Sequence, residues 1–200
     1  MRTWLRTIAT ALAWMAGIMF GLWAGVGIVR ADDAQLLASL RSGGNIVLIR
    51  HAATEPGIGD PADFRVDDCS TQRNLSEAGR EDARRMGEAL RAAGVPIAAV
   101  RSSRWCRCLE TAERAFGPWH EVEPWPVLDS LFGRAGEREA RRTRMLDAAA
   151  GVPADGNWVW VTHQANITAL TGEFTAMGEA LVVRPDAGGG LHVQGRWRAR

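Results

Sequence analysis

The sequence contains no lysine and no tyrosine, and only three of its 200 residues are cysteine. All 24 basic side chains are therefore arginine, and the aromatic content includes nine tryptophans. Without lysine, neither a Schiff-base lysine nor the lysine of a nucleotide-binding P-loop is available. A codon bias toward arginine accounts for this composition, and arginines chosen for paired phosphate contacts are confined to one or two sites. Excess charge is also lacking. The 24 basic and 23 acidic residues leave a net charge of +1, so the whole chain has no electrostatic footprint for nucleic acid. Hydrophobic residues at 46% and charged residues at 24% are ordinary globular values. They exclude a chain disordered throughout and a collagen-like fibre. Two hundred residues suffice for one domain with a real core, plus an address segment.

No charged residue occurs from Thr7 to Val29. Arg2 and Arg6 precede this stretch, and Val29-Arg30-Ala31 followed by Asp32-Asp33 closes it. This is the layout of a secretory signal peptide cleaved after Ala31. The apolar stretch also meets the length of about 20 residues that an uncleaved membrane anchor needs. On either reading residues 32–200 form the functional domain. They lie in the periplasm or another extracytoplasmic space, and only residues 1–31 touch a membrane. In an oxidising compartment cysteines pair. Cys106 and Cys108 are too close to bridge each other, so Cys69 pairs with one of them and leaves one free thiol. No Cys-x-x-Cys or nearby histidine completes a zinc site, and no general base beside these cysteines marks a catalytic thiol.

No internal repeat or low-complexity run follows Ala31. Residues 45–49 are a continuous run, read as a strand buried on both faces. Residues 76–93 read as a helix. Ser76 caps it, Leu75, Ala83, Met86, Ala89 and Leu90 form its apolar side, and Gly94 and Pro96 stop it. Further helices are expected over 106–116, 137–150 and 165–170, and strands over 97–100, 120–123, 158–161, 180–184 and 191–194. Residues 124–136 read as a loop. Alternating strands and helices predict an α/β fold, a three-layer sandwich around a mainly parallel sheet. Ligands of such folds bind beyond the carboxyl ends of the strands. Three such ends carry Arg50-His51, then Ser102-Ser103 with Arg107 one turn on, and then Thr162-His163. Guanidinium groups grip phosphate oxygens in pairs, and neutral imidazole is a competent nucleophile. The set therefore suits phosphoryl transfer, with arginine and histidine supplying the positive charge that a metal would otherwise bring.

Arg50-His51-Ala52-Ala53-Thr54 resembles the Arg-His-Gly-x-Thr signature of the histidine phosphatase superfamily, also called phosphoglycerate mutase-like. Asn74-Leu75-Ser76-Glu77-Ala78-Gly79 resembles that family's Leu-Thr-x-x-Gly helix start. Residues 102–112 are similar to its Ser-Ser-x-x-x-Arg-x-x-x-Thr-Ala block, and Val161-Thr162-His163 stands at its late histidine motif. The four ordered blocks span roughly Asn45 to Gly172. The resemblance implies a phosphoglycerate mutase-like sandwich and a phosphoric monoester hydrolase. His51 would become phosphohistidine, His163 would be the second imidazole, Arg50 and Arg107 would clamp phosphate, and Thr54 would support the phosphate or Arg50. Val127-Leu128-Asp129-Ser130-Leu131-Phe132-Gly133 resembles the stretch that carries the general acid, which puts Asp129 at that position, with Glu137 and Glu55 as fallbacks.

Ala52 departs from the family's glycine, and Gln164 from its Gly or Asp, so the phytase-like His-Asp pair is absent. No cofactor, metal or nucleic acid is expected. The expected partner is a small-molecule phosphate ester, with an envelope sugar phosphate favoured by compartment. The alternative is a non-catalytic phosphate- or sugar-phosphate-binding protein on the same fold. A mutase ranks below both, because the chain is short and carries an export signal. The acidic loop from Pro56 to Cys69, with Asp60, Asp63, Asp67 and Asp68, is expected to cover the site and lacks the spacing of a calcium loop. Trp105 and Trp125 are candidates to line the pocket, whereas His120 and His192 read as surface or packing residues.

Overall fold

The computed structural model describes residues 31–57 and 59–199. The expected address segment, residues 1–31, lies outside the described residues except for Ala31. Among the described residues no helix is long and apolar enough to cross a membrane.

Six strands form one sheet: β1 (Ile46–Arg50), β2 (Ile97–Ser102), β3 (Val122–Pro124), β4 (Asn157–Thr162), β5 (Ala180–Pro185) and β6 (Leu191–Trp197). Their spatial order is β3-β2-β4-β1-β5-β6. The first four run parallel, whereas β5 and β6 pair antiparallel at one edge. Five helices cover the faces: α1 (Ala31–Arg41), α2 (Glu77–Ala92), α3 (Cys106–Phe116), α4 (Arg138–Ala149) and α5 (Gln164–Thr171). The expected helices and strands all form, with ends displaced by a few residues. Other elements go beyond them, including 3₁₀ turns at Cys69–Thr71 and Ala135–Glu137. Residues 31–41 are helical, and the expected loop over 124–136 contains a 3₁₀ turn at Pro126–Leu128.

The sheet divides the core by strand alternation. Val47 and Ile49 of β1 pack with Leu40, Met86, Leu90 and Phe116 beneath α1, α2 and α3. Ile46 and Leu48 face the other way, onto Met145, Ile167, Leu170 and Leu181 beneath α4 and α5. All four β1 side chains are completely buried. This explains why the run is apolar without alternation. Ser76 caps α2 as expected, its hydroxyl accepting from the Gly79 N–H at 3.1 Å. At the opposite end of the sheet from the strand ends that carry histidine, Asn45 and Asn157 hydrogen-bond each other and close the bottom of β1 and β4.

Candidate active site

The parallel register sets the site. Arg50 of β1 lies opposite Thr162 of β4, and Ser102 of β2 lies opposite Val161. The next residues along, His51, His163 and Ser103, therefore leave the sheet side by side. Backbone bonds continue the ladder one step further: His51 N–H to the Thr162 carbonyl (3.0 Å) and Ser103 N–H to the Val161 carbonyl (2.9 Å). The two imidazole centroids are 5.6 Å apart, edge to face, and both histidines are 4% exposed.

His51 Nδ1 lies 2.9 Å from the Ala52 carbonyl. A carbonyl only accepts, so Nδ1 carries the proton and Nε2 keeps its lone pair. Burial, joined by the charges of Arg107, Arg50 and Arg73, pushes this imidazole down to about 3, against the bond to Ala52. His163 is driven well below its ordinary value by burial, then by Arg107, His51 and Arg50. Burial beside guanidinium charge favours the neutral form of both rings. Ser103 Oγ is 2.9 Å from His163 Nε2 and donates to Asp129 Oδ1 at 3.4 Å.

Three arginines surround the imidazoles. Arg50 donates through Nη1 to the Thr175 carbonyl at 2.8 Å. Arg107 holds the Asp60 carboxylate with both ends of its fork, Nη1 to Oδ1 at 2.7 Å and Nη2 to Oδ2 at 3.1 Å. The Arg73 backbone N–H and the Trp105 indole N–H complete the grip on Asp60, at 3.1 and 3.0 Å. The Nε atoms of Arg50, Arg73 and Arg107 are all buried without a hydrogen-bond partner among the described residues. Buried donors of this kind are rare unless a ligand or water takes them up.

Thr111 ties the loop after His51 to α3, since its hydroxyl accepts from Ala52 N–H at 3.0 Å and donates to the Arg107 carbonyl at 2.6 Å. The Cys69–Cys106 disulfide, one of the two pairings open to the sequence, pins the end of the acidic loop to the first turn of α3. Cys108 is the free thiol. It is buried 3.4 Å from His163 Nε2, and burial pushes it up to about 12.

The remaining expected residues fall around this centre. The Thr54 hydroxyl is directed at the Met177 sulfur, 3.9 Å away, and makes no hydrogen bond to Arg50 or His51. Asp129 is buried and fully engaged. Arg104 donates to it from its backbone N–H (2.9 Å), Nε (2.9 Å) and Nη2 (2.6 Å), and it reaches His163 through Ser103. Glu137 is exposed and paired with Arg134 and Arg141, and Glu55 is exposed. Trp105 is buried against His163, with ring centroids 5.5 Å apart, whereas Trp125 packs on Trp160. Asp60 and Arg73 are the residues that sequence reasoning does not single out; only their loop's acidity and their place before the Leu75-Ser76 helix start mark them. Two surface cavities, about 610 and 350 Å³, lie away from the histidines, one against α1 and β6 and one beside the disulfide. Among the described residues no group of three or more His, Cys, Asp or Glu side chains is placed to hold a metal ion.

Residues 46–133 match the family described as the histidine phosphatase superfamily (branch 1). A search of the curated proteins finds no match. Among solved structures, the protein histidine phosphatase SixA complexed with tungstate is 18% identical, with a TM-score of 0.56 over 78% of this chain and 97% of its own. A phosphoserine phosphatase from Entamoeba histolytica, in complex with 3-phosphoglyceric acid, is 16% identical, with a TM-score of 0.56 over 76% of this chain and 95% of its own. A mycobacterial glucosyl-3-phosphoglycerate phosphatase complexed with VO3 is 18% identical, with a TM-score of 0.55 over 78% and 99% of the two chains. These likenesses establish the fold. Together with the family match they support a histidine-type phosphatase.

Proposed function

We propose that this chain is a histidine phosphatase that hydrolyses phosphomonoesters through a phosphohistidine at His51, without a metal and outside the cytoplasm. The observation that carries the reading is the His51 ring. Burial favours its neutral form, its proton is fixed on Nδ1 by the Ala52 carbonyl, which leaves the lone pair on Nε2, and the charges of Arg107, Arg50 and Arg73 act on the ring. Nε2 attacks phosphorus and the ester P–O bond breaks. The leaving oxygen departs with the bonding pair and takes a proton. Water then attacks the phosphohistidine, the N–P bond breaks, and inorganic phosphate leaves the neutral imidazole behind. The guanidinium groups stabilise the charge that builds on the equatorial oxygens.

Asp129 stands at the position where the resemblance places an acid, and Arg104 is paired with it. In this reading it orients Ser103 and, through Ser103, His163. An activated leaving group departs without an acid, so an aryl phosphate is the substrate of choice for the test. Its hydrolysis by the purified protein should survive a metal chelator. His51→Ala should abolish turnover and the acid-labile phosphoenzyme, and Arg107→Ala should lower kcat/KM by about 10²–10³. Wild-type rates from His51→Ala would overturn the mechanism. The hold of Arg104 on Asp129 also favours a second reading, a phosphate-binding protein without turnover. Labelled phosphate trapped on His51 would exclude that reading.

The natural substrate in this proposal is a small phosphate ester of the cell envelope, such as a sugar phosphate. Its support is the address-like layout of residues 1–31. Cell fractionation tests the compartment, and recovery of the full chain in the cytosol would refute it.

A further inference from the structure

The acidic loop does more than lie over the site. The Asp60 carboxylate, with its side chain 9% exposed, sits in the Arg107 fork in the bidentate manner of a bound oxyanion. Four donors saturate it: the two Nη atoms of Arg107, the Arg73 backbone N–H and the Trp105 indole. These bonds occupy the Nη1–Nη2 edge of the Arg107 guanidinium, so another anion beside Asp60 meets Arg107 only through its Nε–Nη edge. A phosphoryl group placed beside Asp60 would meet a buried like charge at close range, which is costly where water does not screen it. Exchange avoids that cost.

We propose that Asp60 is a specificity-determining residue of the phosphoryl site: it fills the Arg107 fork as an internal anion, and a phosphoryl group binds by taking its place. The inference rests on the phosphatase reading above and adds a charge rule to it. Arg50, Arg73 and Arg107 carry three positive charges, and Asp60 cancels one. A monoanion that replaces the carboxylate gains no charge match, whereas a phosphomonoester dianion gains one. The site therefore selects dianionic monoesters against monoanionic diesters. Affinity is moderated as well, because an anion sees only the fraction of molecules whose fork is open.

Calorimetry with inorganic phosphate at pH 8 tests the exchange on the full chain, with Asp60→Asn beside Asp63→Asn, a control in the same exposed loop. Asp60→Asn should bind phosphate at least about tenfold more tightly, which corresponds to an open fraction of about a tenth or less in the wild type. Asp63→Asn should match the wild type. A second measurement needs no folded Asp60 variant. In the wild-type protein the Trp105 indole N–H, assigned in nitrogen-proton correlation spectra with Trp105→Phe, loses its carboxylate partner on exchange, so its resonance should shift as phosphate saturates. Phosphate affinity in a folded Asp60→Asn equal to or weaker than wild type would overturn the proposal and make Asp60 a support for Arg107. So would a Trp105 resonance that stays in place while phosphate binds. In either case hydrolysis by the wild type would leave the phosphatase reading standing. No phosphate binding to the wild type at any concentration would remove both.

Discussion

A buried imidazole that stays neutral has a cost that depends on pH. His51 takes its proton at about 3 in the folded chain, against 6.5 when free. Between those values the unfolded state binds more protons than the folded one, so stability rises with pH across the window. It is complete above pH 6.5 and is lost as the pH falls through 6.5 toward 3, by up to about 1.4 kcal/mol per pH unit for each such group. His163 is shifted in the same direction. Denaturant unfolding from pH 7.5 to 5 should show this slope, and His51→Asn should flatten it. An unchanged slope would mean that the buried ring is not what sets it. The strand-end position of Arg50-His51 was legible in the sequence, since the pair follows an apolar strand directly. Asp60 was not. Its partner Arg107 is 47 positions away, and no local pattern announces a bond across that distance. Asp129 was legible as a position, but its hold by Arg104 depends on a side-chain geometry that spacing does not contain.

At the scale of elements, α2 approaches the nucleophile loop so closely that only glycine fits at its first turn. A Cβ on Gly79 would lie 2.0 Å from the Ala53 carbonyl oxygen, two residues after His51. Gly79→Ala must move that backbone. We expect a loss of about 1–3 kcal/mol in stability from overpacking. Displacement of the His51 loop should also lower kcat on an aryl phosphate by up to about 10². Gly136→Ala, where a Cβ meets nothing within 4 Å, should leave both quantities unchanged. Kinetics and thermal unfolding of the two variants decide the point. The helix itself was readable from Ser76, its apolar spacing and Gly94, because capping and periodicity are local. The same holds for α3, which spans the expected Cys106–Phe116. The 31–41 helix was not readable in that way. Its apolar residues Leu36 and Leu40 gain a helical reason only by packing on the sheet, and Leu36 lies against Gly195 of β6.

For the whole molecule, alternating strands and helices carried the three-layer reading with a mainly parallel sheet, whereas the antiparallel pairing of β5 and β6 at its edge emerges only from the structure. The cysteine pairing stayed open between two partners, since both candidates sit within three residues of one another at the start of α3. The Cys69–Cys106 bond closes a loop with a sequence separation of 37. In the chain-entropy account such a cross-link stabilises by about 3–4 kcal/mol. Cys69→Ser should lower the free energy of unfolding by that order in urea titrations, and a loss near zero would show that the loop is held by its other contacts.

That cross-link also governs how the protein has to be handled at the bench. It anchors the segment that brings Asp60 and Arg73 beside Arg107, the proposed phosphate clamp, so reductant in a purification buffer should act on that site and on the stability together. A preparation made in a reducing host or stored with thiols reports on a slackened clamp. Matched oxidised and reduced samples, assayed side by side, measure what the bond contributes to catalysis.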